Sequence, residues 1–158
     1  MGCGKSTLAR KLSAKMGYAL VDLDHEIEKK LGQQINGYFA EHGEAAFREL
    51  ESETLKTFPY EENTIIATGG GVPCFFDNMD WMNKTGLTVY IEMTAKSLAR
   101  RLEGGKAKRP LLKDLNEAEM ITFIENKLIE RRPYYSQAKV IVNGINLSTD
   151  LLLQTVLQ

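Results

Sequence analysis

The sequence predicts an α/β fold, a central parallel sheet flanked by helices, and three observations predict it. Short apolar segments alternate with segments of helical periodicity along the whole chain. Gly2-Cys3-Gly4-Lys5-Ser6-Thr7 stands at the start of the first helical segment and reads as the closing half of a phosphate-binding loop. Two further features, Asp22-Leu23-Asp24 and Gly69-Gly70-Gly71, each follow a strand-like run, at the sheet end where α/β folds bind ligands.

The bulk numbers are those of a soluble globular protein. The 158 residues indicate one domain, 1–158, with 43% hydrophobic and 26% charged residues. A formal net charge of -1 gives no sign of a nucleic-acid-binding face. The two cysteines, Cys3 and Cys74, belong to no metal-binding spacing and read as reduced thiols of a cytoplasmic protein. No apolar run is long enough to span a membrane, and no signal peptide is recognisable.

In chain order, Leu8, Leu12 and Met16 share a face of a helix from Lys5 to about Lys15, stopped by Gly17. Small residues ahead of it let backbone N–H groups curl around phosphate oxygens. Lys5 can reach the β/γ-phosphates, the Ser6 hydroxyl can ligate Mg²⁺, and the helix points its positive end at the anion. The bland alternative is ordinary turn chemistry. Tyr18–Val21 reads as a strand, closed by Asp22-Leu23-Asp24. If those acids continue the strand, both project the same way and suit Mg²⁺ or a proton-accepting role. Alternatively, Asp24 caps a helix over 26–31.

A short helix over 33–40 and a longer one over 44–58 are separated by Gly43. Arg48 lies four residues after Glu44 and three before Glu51. It is either part of a surface ion-pair ladder or a guanidinium held by Glu51 and aimed at a substrate carboxylate. After Pro59, 63–68 reads as a buried strand running into Gly69-Gly70-Gly71. Three bare glycines allow close backbone approach to a ligand, the alternative being a flexible turn. A helix over 76–84 carries Met79, Trp81 and Met82, a cluster assigned to the core. A strand over 87–92 follows, then a helix over 95–102 capped by Thr94.

The stretch 103–116 is basic, glycine-bearing and without periodicity. It reads as a lid bringing Arg109 to a transferring phosphoryl group, or as a solvated connector. A helix over 117–130 leads into Arg131-Arg132-Pro133-Tyr134-Tyr135, whose arginines either answer the helix dipole or hold an anion. The strand 139–143 and a helix over 147–158 close the chain.

Taken together, these motifs resemble the shikimate kinases. The resemblance rests on Gly-Lys-Ser-Thr at 4–7, Asp-x-Asp at 22–24 and Gly-Glu-x-x-Phe-Arg-x-x-Glu at 43–51. It rests equally on Gly-Gly-Gly at 69–71, Arg-Pro-Leu-Leu at 109–112 and Arg-x-Pro-x-Tyr at 131–135. The order and spacing carry the match, which covers essentially the whole chain.

The resemblance implies a P-loop NTPase-like three-layer sandwich, with substrate-binding helices over about 24–58 and a lid over about 103–116. It implies transfer of the ATP γ-phosphate to the 3-hydroxyl of shikimate, on the route to chorismate and the aromatic amino acids. ATP would be held by Gly2, Cys3, Gly4, Lys5, Ser6 and Thr7, with Mg²⁺ at Ser6 and Asp22. Asp24 would bond the substrate hydroxyl and accept its proton. Arg48 and Arg131 would grip the shikimate carboxylate beside Gly69, Gly70 and Gly71, with Gly70 as a backbone donor. Arg109 would be the lid arginine, acting with Lys5 on the transferring phosphoryl group, and Arg101 would lie against adenine. The resemblance also implies a monomer.

The resembled family begins with a strand and a first phosphate-loop glycine that would precede Met1, so the expectation is a longer natural chain or a start codon assigned at an internal Met. Two other readings compete. A related small-molecule kinase, such as a gluconate kinase, would lack the paired carboxylate-binding arginines. A non-catalytic relative would have no physical need for Lys5, Asp24, Arg48, Gly70, Arg109 and Arg131 together.

Overall fold

A computed structural model describes residues 3–103 and 112–158. The chain divides into two compact units, Ser6–Gly86 and Met1–Lys5 with Leu87–Gln158.

In the Ser6–Gly86 unit, helix α1 (Lys5–Met16) buries Ala9 and Leu12 and gives way to Gly17, whose φ of 68° is the left-handed conformation that ends helices. Strand β1 (Ala19–Asp22) follows, then α2 (Leu23–Leu31), which ends at Gly32 in the same conformation. The strand does not continue through Asp24. Asp22 is the N-cap of α2, its Oδ1 accepting the His25 N–H at 3.4 Å, and Asp24 sits in the first helical turn. The cap therefore falls two residues earlier than expected. An acid is favoured in either place, because both lie at the positive end of the helix.

Helix α3 (Ile35–Thr57) is two helices meeting at Gly43, which has φ 84° and ψ 171°. The break is where the sequence places it, since an L side chain resists that backbone. The Glu28 carboxylate accepts the Ile35 N–H at 3.0 Å and ties the end of α2 to the start of α3. Strand β2 (Thr64–Ala67) pairs parallel with β1, Ala19 opposite Thr64 and Asp22 opposite Ala67. This register brings the acids after β1 and the glycines after β2 to one end of the sheet.

Past the glycines the chain makes a 3₁₀ turn (Val72–Cys74) and then α4 (Asn78–Thr85). The helix starts two residues later than the periodicity suggests, because Phe76 has φ 50° and Asp77 precedes the first turn. Leu23, Ile27, Leu55 and Val72, each with no exposure, form the core of this unit with Phe47. Burying each such side chain is worth about 1.5–3 kcal/mol. Trp81 and Met82 pack against that cluster, which is the core role expected of them.

In the other unit, β3 (Val89–Glu92) pairs parallel with β4 (Val140–Asn143), Val89 opposite Val140. Helix α5 (Ala95–Glu103) packs on α6 (Glu117–Tyr135) through Leu98, Leu102, Met120 and Ile124. Asn116 and Glu119 form a reciprocal capping box at the start of α6. This helix runs through Arg131 and Pro133 to Tyr135, five residues beyond the expected end. Pro133 in the last turn removes the N–H that would bond the Ile129 carbonyl, and the helix closes beyond it, with Ser136 N–H on the Arg132 carbonyl at 2.9 Å and the Gln137 side-chain amide on that of Pro133 at 3.0 Å. Helix α7 (Thr149–Leu157) is capped by Ser148.

The strands described thus form two parallel pairs, one in each unit. Among the described residues, no helix is long and apolar enough to cross a membrane.

Candidate active site

In the Ser6–Gly86 unit the structure brings together Ser6, Asp22, Asp24, Arg48 and Gly69–Gly71. Ser6 opens the first turn of α1, and its hydroxyl donates to Asp22 Oδ2 at 3.5 Å, a long contact. The other oxygen of Asp22 is the one that caps α2. Both groups are hard oxygen donors. Among the described residues no cluster of three or more His, Cys, Asp or Glu side chains forms a metal cage. A hydroxyl and a single carboxylate suit a divalent ion that keeps waters and takes its other ligands from phosphates.

Asp24 reaches the glycine run. A methyl group at Gly69 would lie 3.2 Å from Asp24 Oδ1 and 3.6 Å from Glu51 Oε2. Two carboxylates therefore converge on a position where a side chain would crowd them. At Gly71 the crowding is worse, since a methyl there would meet Arg48 Nη1 at 2.4 Å. The glycines are where the backbone passes against catalytic-type side chains, not merely where it turns.

Arg48 is largely buried, its side chain 13% exposed. Its Nη1 donates to Glu51 Oε1 at 2.8 Å, and Glu51 is itself buried. The Nε makes no hydrogen bond among the described residues, its carboxylate neighbour Glu44 Oε1 lying 3.5 Å away. Both ion pairs of the expected ladder are present, to Glu44 and to Glu51, but the arginine that makes them is buried rather than solvated. It is a buried guanidinium with an unsatisfied donor, a costly arrangement unless an acceptor arrives. Its guanidinium carbon lies over two aromatic rings, 4.4 Å from the centroid of Phe75 and 5.3 Å from that of Phe47.

In the other unit, Gly4 has φ 81°, and a methyl on it would lie 3.0 Å from Arg101 Nη1. The phosphate loop and the arginine expected at the nucleotide thus touch. Cys3 packs, half-buried, against the α5–α6 core, and Lys5 begins α1. Thr7 lies on the exposed face of the first turn. Arg131 points along α6, its Nη1 3.5 Å from the Tyr135 hydroxyl, and Tyr135 stacks on Tyr90 at 4.9 Å. Burial, reinforced by Glu92 and Tyr135, raises the Tyr90 phenol above its usual pKa. Gly2 and Arg109 lie outside the described residues.

Two features escape sequence reasoning. One is the Phe75 ring on Arg48, since an aromatic four residues past a glycine run carries no periodic signal. The other is a buried polar pair: Ser52 Oγ donates to Asn78 Oδ1 at 2.6 Å, and Asn78 Nδ2 donates to the Val72 carbonyl at 2.9 Å. It joins α3 and α4 to the turn after the glycines.

A phosphate-gripping helix start, a carboxylate pair at the sheet end and a buried arginine beside bare glycines are the parts of an α/β phosphotransferase with an anionic acceptor. Comparison with known proteins narrows the class. The family model described as "Shikimate kinase" matches residues 1–158. The shikimate kinase of Parabacteroides distasonis is 41% identical over 150 residues, covering 95% of this chain and 87% of that protein. That of Bacteroides thetaiotaomicron is 42% identical over 144 residues, covering 91% and 82%. The crystal structure of a shikimate kinase from Bacteroides thetaiotaomicron superposes with a TM-score of 0.92 at 39% identity, covering 99% of this chain and 91% of that one. The Acinetobacter baumannii shikimate kinase, solved in complex with shikimate, gives 0.84 at 31% identity, covering 100% and 87%. The chain belongs to the shikimate kinase family.

Proposed function

We propose a division of labour among these residues for the transfer of the ATP γ-phosphoryl group to the 3-hydroxyl of shikimate. That the chain is an ATP-dependent kinase of shikimate follows from its family membership. The residue roles, the metal, the monomeric state and a cytoplasmic location are the proposal. So is the working of residues 1–158 as one kinase domain, which the single family match over that span supports.

In this reading the backbone of Gly2–Thr7 and the Lys5 ammonium hold the phosphates at the positive end of α1, and Arg101 lies against the adenine. Ser6 and Asp22 hold Mg²⁺, which when bound neutralises charge on the phosphate oxygens. Asp24 orients the 3-hydroxyl and takes its proton. Arg48 and Arg131 bind the carboxylate, Gly70 offers its N–H to a ring hydroxyl, and Gly69 and Gly71 leave room for the substrate-binding side chains. Arg109 acts with Lys5 on the transferring group. Phosphoryl transfer asks for this kind of positioning and charge neutralisation rather than covalent help.

The observation that carries the reading is Arg48. It is buried against Glu51 and Gly71, and its Nε lacks a hydrogen-bond acceptor. An arginine so placed suits a carboxylate-bearing acceptor, with which it makes charge-assisted bonds stronger than those it makes to the hydroxyls of a neutral polyol. The test is ADP release by the purified chain with ATP and Mg²⁺, with shikimate, the carboxylate-bearing gluconate or the neutral polyol glycerol as acceptor. Release dependent on shikimate alone is expected. Equal turnover of gluconate, or no shikimate-dependent release from a chain that binds ATP, overturns the reading.

A further inference from the structure

The Arg48 guanidinium has two kinds of neighbour. Along its edge, Nη1 meets the Glu51 carboxylate at 2.8 Å. The guanidinium carbon also lies over the Phe75 ring, 4.4 Å from its centroid. An aromatic ring suits that position because its π-cloud attracts the cation while it offers no acceptor that would occupy an N–H. The N–H groups remain for carboxylates.

Phe75 is itself held. Its carbonyl accepts the Asn78 N–H at 3.2 Å, and the Asn78 side chain is fixed between Val72 and Ser52. Ser52 lies one helical turn beyond Arg48 on α3. The ring and the cation it covers are thus anchored to the same helix, through a pair of side chains 0% and 7% exposed.

We infer that Phe75 is a positioning residue for Arg48: its ring holds the guanidinium in place and so sets the affinity for the carboxylate of the substrate. The inference rests on the reading that Arg48 binds that carboxylate. A ring that only filled space would be replaceable by any apolar side chain of similar size. A ring that orients a cation is replaceable only by another ring.

The experiment compares Phe75→Leu, Phe75→Met, Phe75→Tyr and Arg48→Lys in the intact chain. It reads KM for shikimate, KM for ATP, kcat and the melting temperature. Phe75→Leu and Phe75→Met are expected to raise KM for shikimate about 2- to 30-fold, the range a cation–π contact supports, with KM for ATP unchanged. Phe75→Tyr is expected to restore KM for shikimate to within about twofold, since it keeps the π-face. Unchanged KM for shikimate in both aliphatic variants overturns the inference. So does an equal rise for both substrates, or a Tyr variant as impaired as Leu. Arg48→Lys separates the underlying reading: if it leaves KM for shikimate unmoved, the carboxylate assignment fails. If it raises that KM while the Phe75 variants do not, only the positioning role fails.

Discussion

Gly71→Ala gives the sharpest test of the acid-binding geometry, because the backbone and the side-chain space argue in opposite directions. Gly71 has φ -85° and ψ -17°, a right-handed helical conformation that alanine adopts without strain. Judged on the backbone alone, the substitution stabilises the fold by about 0.4–1 kcal/mol, through a less flexible unfolded chain. The added methyl, however, falls 2.4 Å from Nη1, 2.6 Å from Nη2 and 2.7 Å from Cζ of Arg48, where ordinary contact begins at 3.4 Å. One partner must retreat by about 1 Å, the difference between 3.4 and 2.4 Å. Val72 is fully buried and its carbonyl is held by Asn78, so the guanidinium is the part that moves. A displaced guanidinium forfeits at least one charge-assisted hydrogen bond to a substrate carboxylate, worth about 1.5–3 kcal/mol. The expected result is a rise of about 10- to 150-fold in KM for shikimate, with KM for ATP within about twofold of the parent. Steady-state kinetics with each substrate varied, beside a thermal melt, measures both effects. A stabilised variant with an unchanged KM for shikimate would show that Arg48 does not bind the carboxylate from this position.

Three further outcomes follow from named groups. Asp24→Asn keeps the shape of the first turn of α2 but removes a proton acceptor, so kcat should fall about 10²- to 10⁴-fold with an unchanged melt. Near-normal turnover removes Asp24 from the chemistry. Ser52→Ala strips the hydroxyl from buried Asn78 Oδ1 and should cost about 1–3 kcal/mol in urea unfolding, without a change in slope. A loss of a few tenths would mean that the oxygen finds another donor. Burial pushes the pKa of the Tyr60 phenol up to about 12 from its ordinary 10.0, and its hydroxyl donates to the Leu55 carbonyl at 2.8 Å. The folded state thus favours the protonated phenol, so this contribution is whole below pH 10 and is lost as pH rises towards 12. Tyr60→Phe should flatten the decline of stability across that window, and an identical decline in both proteins refutes the assignment.

Much of this arrangement is legible in the sequence, and the illegible parts share a cause. Helix α1, the break at Gly43 and the parallel pairing follow from periodicity, glycine punctuation and the alternation of elements, all of them local signals. The core role of Met79, Trp81 and Met82 follows from composition. The boundary between β1 and α2 does not, because Asp22 and Asp24 are equally good caps by residue type. Only the register against β2, with Asp22 opposite Ala67, decides where the strand stops. The end of α6 is missed for the opposite reason. Pro133 is a helix breaker by rule, and only the hydrogen bonds of Ser136 and Gln137 beyond it show that the helix runs past it before closing. Phe75 and the Ser52–Asn78 pair are contacts between elements distant in sequence, to which no local pattern points.

The position of Arg48 explains why the region is built as it is. A buried Arg–Glu pair is seldom a net stabiliser, since desolvating both charges consumes most of their attraction. Here the arrangement is less favourable still, because Nε lacks an acceptor and Glu44 is 3.5 Å away. Such a group persists when something else in the fold over-determines it, and three features do: the Glu51 bond on one edge, the Phe75 ring against it and the absence of a side chain at Gly71. Glu51 therefore has a second duty, because it also approaches Gly69 beside Asp24. Glu51 bonds the arginine proposed for the substrate carboxylate and lies beside the acid proposed to take the substrate proton. On the proposed roles, carboxylate binding and proton acceptance therefore meet at one buried glutamate.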